Sequence, residues 1–161
     1  MRRAFVMPGK RPPLSFTEEV FAIAKESGLA WSVLSVDDSG GTLRDIRNDI
    51  TNCEFATPRA TQDTTGIDKS AMERLLLLAD FSITLNGVFN DASNRAHDVF
   101  KTIPSTSVSR EINITVSGQS LGITPAFTIL LTDYPLTRAD SGELTWAVPG
   151  SLASGDVPAW T

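Results

Sequence analysis

The stretch Phe81-Ser82-Ile83-Thr84-Leu85-Asn86 puts an apolar side chain at every second position and a small polar one between. A β-strand turns successive side chains to opposite faces, so this pattern is a strand with one face buried and one exposed. The same alternation recurs downstream. Ile112, Ile114 and Val116 alternate with Asn113, Thr115 and Ser117. Phe127, Ile129 and Leu131 alternate with Thr128, Leu130 and Thr132. Leu144, Trp146 and Val148 alternate with Thr145 and Ala147. Four such strands in the second half predict a mainly β domain, an antiparallel sandwich or small barrel.

Working outward, residues between the first two strands change period. Ala96, Val99, Phe100 and Ile103 fall on one helical face, Ser93 stands at the cap position and Pro104 at the stop, which predicts a flanking helix over 94–103. Upstream, 30–36 reads as a strand that ends in the turn signal Asp37-Asp38-Ser39-Gly40-Gly41. Residues 51–57 read as another strand, followed by a loop over 58–69, long enough to suggest a functional segment. Leu75 to Leu78 is apolar all round and reads as core or subunit contact. Gly118-Gln119-Ser120-Leu121-Gly122 reads as a hairpin connection, and Asp133-Tyr134-Pro135 as a turn.

The first 28 residues differ in character. Positions 1–14 hold three prolines, a glycine and four basic groups, and read as an extended arm. Ser15 and Glu18 form a capping box, Phe16, Val20, Ile23 and Ala24 share a helical face, and Gly28 stands at a helix stop. This predicts a helix over 16–27. The division is therefore an N-terminal arm and helix, 1–28, and a β domain, 29–161. No apolar run reaches a membrane span, and the basic start meets Pro8 before any apolar signal region, so synthesis in a cytoplasm is expected.

Chemistry is hard to place. The net charge is −5, with +2 on residues 1–28 and −7 on the rest, which argues against a basic nucleic-acid footprint. The single cysteine, Cys53, excludes an internal disulfide and a cysteine-rich metal site, and reads as a small buried hydrophobe. The single histidine, His97, falls on the polar helix face beside Asp98 and reads as a surface residue. Adjacent helix positions rarely give the orientation of a catalytic His–Asp pair. The Gly118–Gly122 segment lacks the lysine and following helix of a phosphate loop, and no ligand spacing marks a metal site. No catalytic residue, cofactor or metal is expected. Serine and threonine number 33 and occupy the outward strand positions where a free sheet usually carries charge. Such a face suits packing against neighbours or lining a passage.

The order of segments resembles a known family. Leu43-Arg44-Asp45-Ile46 through Asp49-Ile50-Thr51-Asn52-Cys53-Glu54-Phe55 is similar to the opening strand pair of the major tail tube proteins of siphophages, the long-tailed phages. Thr61-Gln62-Asp63-Thr64-Thr65-Gly66 resembles the family loop T-x-D-T-T-G. Leu78-Ala79-Asp80-Phe81-Ser82-Ile83-Thr84-Leu85-Asn86-Gly87-Val88-Phe89-Asn90 resembles L-x-D-F-S-x-x-L-x-G-x-F-N. A helix follows in the family where Ala96-His97-Asp98-Val99-Phe100 stands, and Leu144-Thr145-Trp146-Ala147-Val148-Pro149 resembles its final strand. The likeness spans 42–161; residues 1–28 depart from the short family start.

The resemblance implies a β-sandwich with a flanking helix and a structural role in a virion tail. Six copies would form a ring, rings would stack into a hollow tube, and DNA would pass through without sequence-specific binding. Tape-measure, terminator and distal tail proteins would be neighbours. A tail terminator or related ring protein is the alternative within that setting, and a ligand-binding β-sandwich with Trp160 as its free aromatic is the alternative outside it. Arg59, Asp63, Thr64, Thr65 and Asp68 in the loop, with Trp160 in the tail, are the candidate ring-stacking or subunit contacts.

Overall fold

The computed structural model describes residues 28–124 and 126–161; the helix expected over 16–27, and with it the N-terminal division, lies outside the described residues. The chain runs through β1 (Trp31–Asp37), β2 (Leu43–Asp45), β3 (Ile50–Ala56), β4 (Arg59–Asp63), β5 (Arg74–Ala79) and β6 (Ser82–Val88). A short helix α1 (Ala96–Phe100) follows, then β7 (Arg110–Val116), β8 (Gln119–Leu121), β9 (Thr128–Leu131), β10 (Leu136–Arg138) and β11 (Leu144–Leu152). The fold is mainly β, as the alternation predicts, and every strand pair is antiparallel.

Nine strands make one sheet in the order β2-β1-β7-β9-β11-β6-β3, with β8 added to β7 and β10 to β11. The sheet rolls up until its two ends meet: Trp31 of β1 lies edge-on to Phe55 of β3 at 6.4 Å. The alternating positions fill the inside. Leu34, Val36, Ile83, Leu85, Ile112, Ile114, Ile129, Trp146 and Val148 are all buried, and Phe81 meets Phe127 edge-on at 4.8 Å. The β7–β8 turn is a two-residue hairpin with positive φ at Ser117 and Gly118, the backbone that a tight hairpin demands.

The flanking helix is shorter than the expected 94–103. It is helical only over Ala96–Phe100, and Ile103–Ser105 forms a separate 3-10 turn with Pro104 inside it. Ala96, Val99, Phe100 and Ile103 are nonetheless buried against the sheet, and Phe100 packs edge-on to Trp146 at 5.2 Å. Ser93 does not cap this helix. The buried Asp49 does so from a distance: its Oδ2 accepts the Ala96 N–H at 2.9 Å, and its Oδ1 accepts from Asn90 at 2.7 Å and Asn48 at 3.1 Å. The carboxylate thereby ties the β2–β3 link to the helix start, where negative charge is also favoured by the helix dipole.

Gly87 makes this junction possible. A Cβ there would lie 2.1 Å from the Asp49 carbonyl oxygen and 2.3 Å from the Trp146 ring. The indole N–H of Trp146 in turn donates to the Val88 carbonyl at 2.8 Å.

His97 is not a plain surface residue. It is half-buried, 4.6 Å from the Phe89 ring, with its Nδ1 3.1 Å from the Tyr134 hydroxyl. Burial and the nearby Asp49 push the Tyr134 phenol up to about 12, so it stays protonated near neutrality. Cys53 is half-buried, and desolvation pushes its thiol up to about 11.

Candidate assembly surface

The loop expected over 58–69 is in large part a strand. Residues 59–63 form β4 and pair with β5 in a separate two-stranded sheet, with Thr61 opposite Leu76, Gln62 opposite Leu75 and Asp63 opposite Arg74. The Asp80 N–H donates to the Pro58 carbonyl at 2.9 Å, so the ladder of β3 and β6 carries on into β4 and β5. The two strands are thus one ribbon that leaves the rolled body and continues alone as an arm. The sequence hid this because β4, Arg-Ala-Thr-Gln-Asp, has no apolar alternation: all five of its residues are exposed.

The candidate residues of the loop shape the arm and its tip. Arg59 donates from Nε and Nη2 to the Leu77 carbonyl at 3.0 and 2.9 Å, bracing the base of the arm. Asp63 Oδ1 accepts the Thr65 N–H at 2.9 Å and its hydroxyl at 2.6 Å. Thr65 Oγ1 then accepts the Glu73 N–H at 2.8 Å, and the Thr64 N–H donates to the Glu73 carbonyl at 3.0 Å. The hydrogen bonds from Thr65 hold the Asp63 carboxyl below its ordinary value. Beyond this lock, Asp68 and Glu73 flank Lys69 at 3.5 and 4.0 Å. The structure therefore brings Arg59, Asp63, Thr64, Thr65 and Asp68 together on one projection.

Trp160 is elsewhere. It lies on the body, 6.0 Å from the Phe55 ring, and forms a bridge with Leu121. The C-terminal residue Thr161 exchanges backbone hydrogen bonds with Ser120, so the tail is fastened along β8. With 48% of its surface exposed and one side packed, Trp160 is not a free aromatic.

The arm's main feature is apolar. Leu75, Leu76, Leu77 and Leu78 are exposed at 57%, 55%, 39% and 91%, and Ile67 and Met72 at the tip are exposed as well. These leucines are not core. The ladder is irregular between Arg59 and Thr61, where three steps of β5 stand against two of β4, so the leucine run does not alternate strictly between the faces of the ribbon. An isolated two-stranded hairpin is at best marginally stable in water, and a contiguous exposed apolar patch marks an interaction surface.

A second surface is the outward side of β11, β6 and β3. The registers align Ser151, Ser82 and Ala56 in one row, Pro149, Thr84 and Glu54 in the next, and Ala147, Asn86 and Asn52 in a third. Across these nine positions Glu54 is the one charged residue. Among the described residues no group of three or more His, Cys, Asp or Glu is placed to hold a metal ion, and no helix is long and apolar enough to cross a membrane.

No protein-family profile and no curated protein matches the chain. Solved structures do. One is the virion of a native gene transfer agent particle, matched with a TM-score of 0.65 and 16% identity over 85% of this chain and 99% of the other. Another is the tail of an empty gene transfer agent particle, obtained by helical refinement with C6 symmetry, with a TM-score of 0.66 and 16% identity over the same shares. At this identity the likeness is one of fold.

Proposed function

We propose that this chain is a structural subunit of a phage-like virion tail, in which six copies close a ring and rings stack into a hollow tube. The observation that carries the reading is the leucine arm: a ribbon with four successive exposed leucines that extends from the rolled body. A neighbouring copy would cover it in this reading, and each exposed leucine buried there would gain roughly 1.5–3 kcal/mol. Heterologous contact between arm and body generates a ring when the rotation closes, and stacking extends it. The fold shared with a tail of C6 symmetry supports six as the number.

The outward face of β11, β6 and β3, with its small, hydroxyl and amide side chains, would line the bore. Glu54 would set a ring of carboxylates there, with no lysine or arginine at the aligned positions to grip phosphate. Arg59, Asp63, Thr64, Thr65 and Asp68 would shape the arm's contacts with the next copy; Trp160 is reassigned to holding the C-terminal tail. The role is structural and not enzymatic.

Negative-stain microscopy and sedimentation of the purified, concentrated chain test this. Rings or tubes are expected, and Leu76→Asp with Leu78→Asp should leave a folded monomer. A parent chain that stays monomeric at every concentration, and is absent from tail fractions of the particle that encodes it, would overturn the reading.

A further inference from the structure

The arm leaves the body at one end of the sheet formed by β3, β6 and β11. Ala56, Ser82 and Ser151 stand in a row there, and β4 and β5 carry on from the first two. The opposite end of the same sheet is apolar as well. Val88 pairs with Thr145, the Phe89 N–H donates to the Leu144 carbonyl at 2.9 Å, and Leu136 of β10 pairs with Trp146. Val88, Leu136 and Leu144 are exposed at 40%, 47% and 37%. The 7 residues of β6 run between the two ends, a length of about 20 Å at the rise of a strand.

We propose that this far end receives the leucine arm of a second copy, with Leu75 to Leu78 of one subunit lying across Val88, Leu144 and Leu136 of the next. The inference rests on the ring-and-tube reading and adds to it the receiving site that stacking needs.

Three observations select this site and this occupant. Copies stacked in one orientation meet head to tail, so the arm end of one faces the far end of its neighbour. The two patches match in length: Leu75 to Leu78 spans three steps of strand rise, about 10 Å, and β6, β11 and β10 lie across two strand spacings, also about 10 Å. The far end also accepts apolar contact without stripping water from a charge. Its row of Val88, Thr145 and Thr137 is uncharged, and the exposed Arg138, opposite Leu144, can add its aliphatic stem while the guanidinium stays in water. Leu130 is exposed too, but it pairs with Ser151 at the arm's own end, which a copy stacked head to tail does not present to the arm.

Mixed single-cysteine variants of the full-length chain test this, with Cys53→Ala removing the chain's one native thiol. A copy bearing Leu76→Cys is mixed in equal amount with a copy bearing Leu136→Cys or Leu144→Cys, so a disulfide between arm and far end joins two chains. Copper-phenanthroline oxidation is followed by non-reducing electrophoresis, and mass spectrometry identifies the joined peptides. Leu130→Cys is the control. Disulfides to positions 136 and 144 forming on the order of tenfold faster than to position 130 support the proposal. Equal rates, a faster bond to position 130, or no disulfide from arm to body overturn it. Should the cysteine variants fail to fold, complementation decides. Leu136→Asp with Leu144→Asp spoils the far end, and Leu76→Asp with Leu78→Asp spoils the arm, each with the melting transition retained. Each variant alone should sediment as a monomer, and their equimolar mixture should form a heavier species, because one keeps the arm and the other keeps the site. A mixture as monomeric as its parts overturns the proposal. A parent chain that builds no tubes counts against the tube reading, whereas tubes that form without the selective disulfide count against this site alone.

Discussion

The rolled body and the leucine arm are built from one ribbon and treat apolar side chains in opposite ways. In β6 the apolar residues stand at alternate positions, and Ile83 and Leu85 are buried by the opposing wall of the same chain. In β5, the strand just before it, four leucines stand in succession and all are exposed. Alternation describes a sheet with one wet face; an unbroken run describes a sheet covered on both faces. The body satisfies its pattern alone. The arm's pattern is satisfied only when something covers it, which under the proposed function is a neighbouring copy.

Equivalent truncations in the two regions should separate these roles. Leu85→Ala removes a fully buried side chain and should cost about 3 kcal/mol of monomer stability, with a cavity left behind. Leu76→Ala on the arm should change monomer stability by less than about 0.5 kcal/mol, the ordinary range for an exposed position. Chemical denaturation of both variants, scored with ring formation in sedimentation, checks the contrast. The expected outcome is a weakened but assembling Leu85→Ala and a stable Leu76→Ala that assembles poorly. An arm variant as destabilised as the core variant would mean that the monomer already buries the arm.

The junction from which the ribbon leaves should be the next most sensitive. Gly87→Ala places a methyl 2.1 Å from the Asp49 carbonyl oxygen, and backbone cannot swing away as a side chain can. The expected cost is about 2 kcal/mol, together with loosening of α1, whose start is held by the same residue's carboxylate. Loss of near-ultraviolet ellipticity from Trp146 reports it. If Gly87→Ala melts with the parent, the packing of Trp146 on this glycine is looser than the geometry states.

The body was legible in the sequence because burial on one face writes period two into the strands. Residues 81–86, 112–117 and 144–148 carry it, and all fall in or across observed strands. The four apolar positions of the flanking helix were legible for the same reason, although the helix stops early at the turn before Pro104. Three things were not. β4 carries no hydrophobic period, because it is exposed on both sides, so it reads as loop. The cap on α1 comes from Asp49, 47 positions away, which no local pattern shows. The half-burial of His97 depends on Tyr134 and Phe89, brought to it by the strands on either side. Of the candidate contacts, the five in 59–68 share a place because they are close in the chain. Trp160 was set apart by a bridge to Leu121 that the sequence does not encode locally.

The smallest expected effect tests whether the arm's tip is preformed. Asp63 accepts two hydrogen bonds from Thr65, and its pKa is lowered from 3.8 as a result. A group whose folded pKa is depressed contributes order above its unfolded value and loses it as pH falls through the folded one. The tip should therefore keep its structure from neutrality down to about pH 4 and loosen below it, while the β6 strand, held by the buried apolar side chains Ile83 and Leu85, keeps its protection further. Amide exchange at Thr65 and Glu73, followed from pH 6 to pH 3, should show protection falling at the tip before it falls in β6. Asp63→Asn should remove that pH dependence, since the amide oxygen can still accept but no longer titrates. Simultaneous loss in both regions would mean that arm and body unfold as one unit, and the contrast between them would then belong to the surface alone and not to stability.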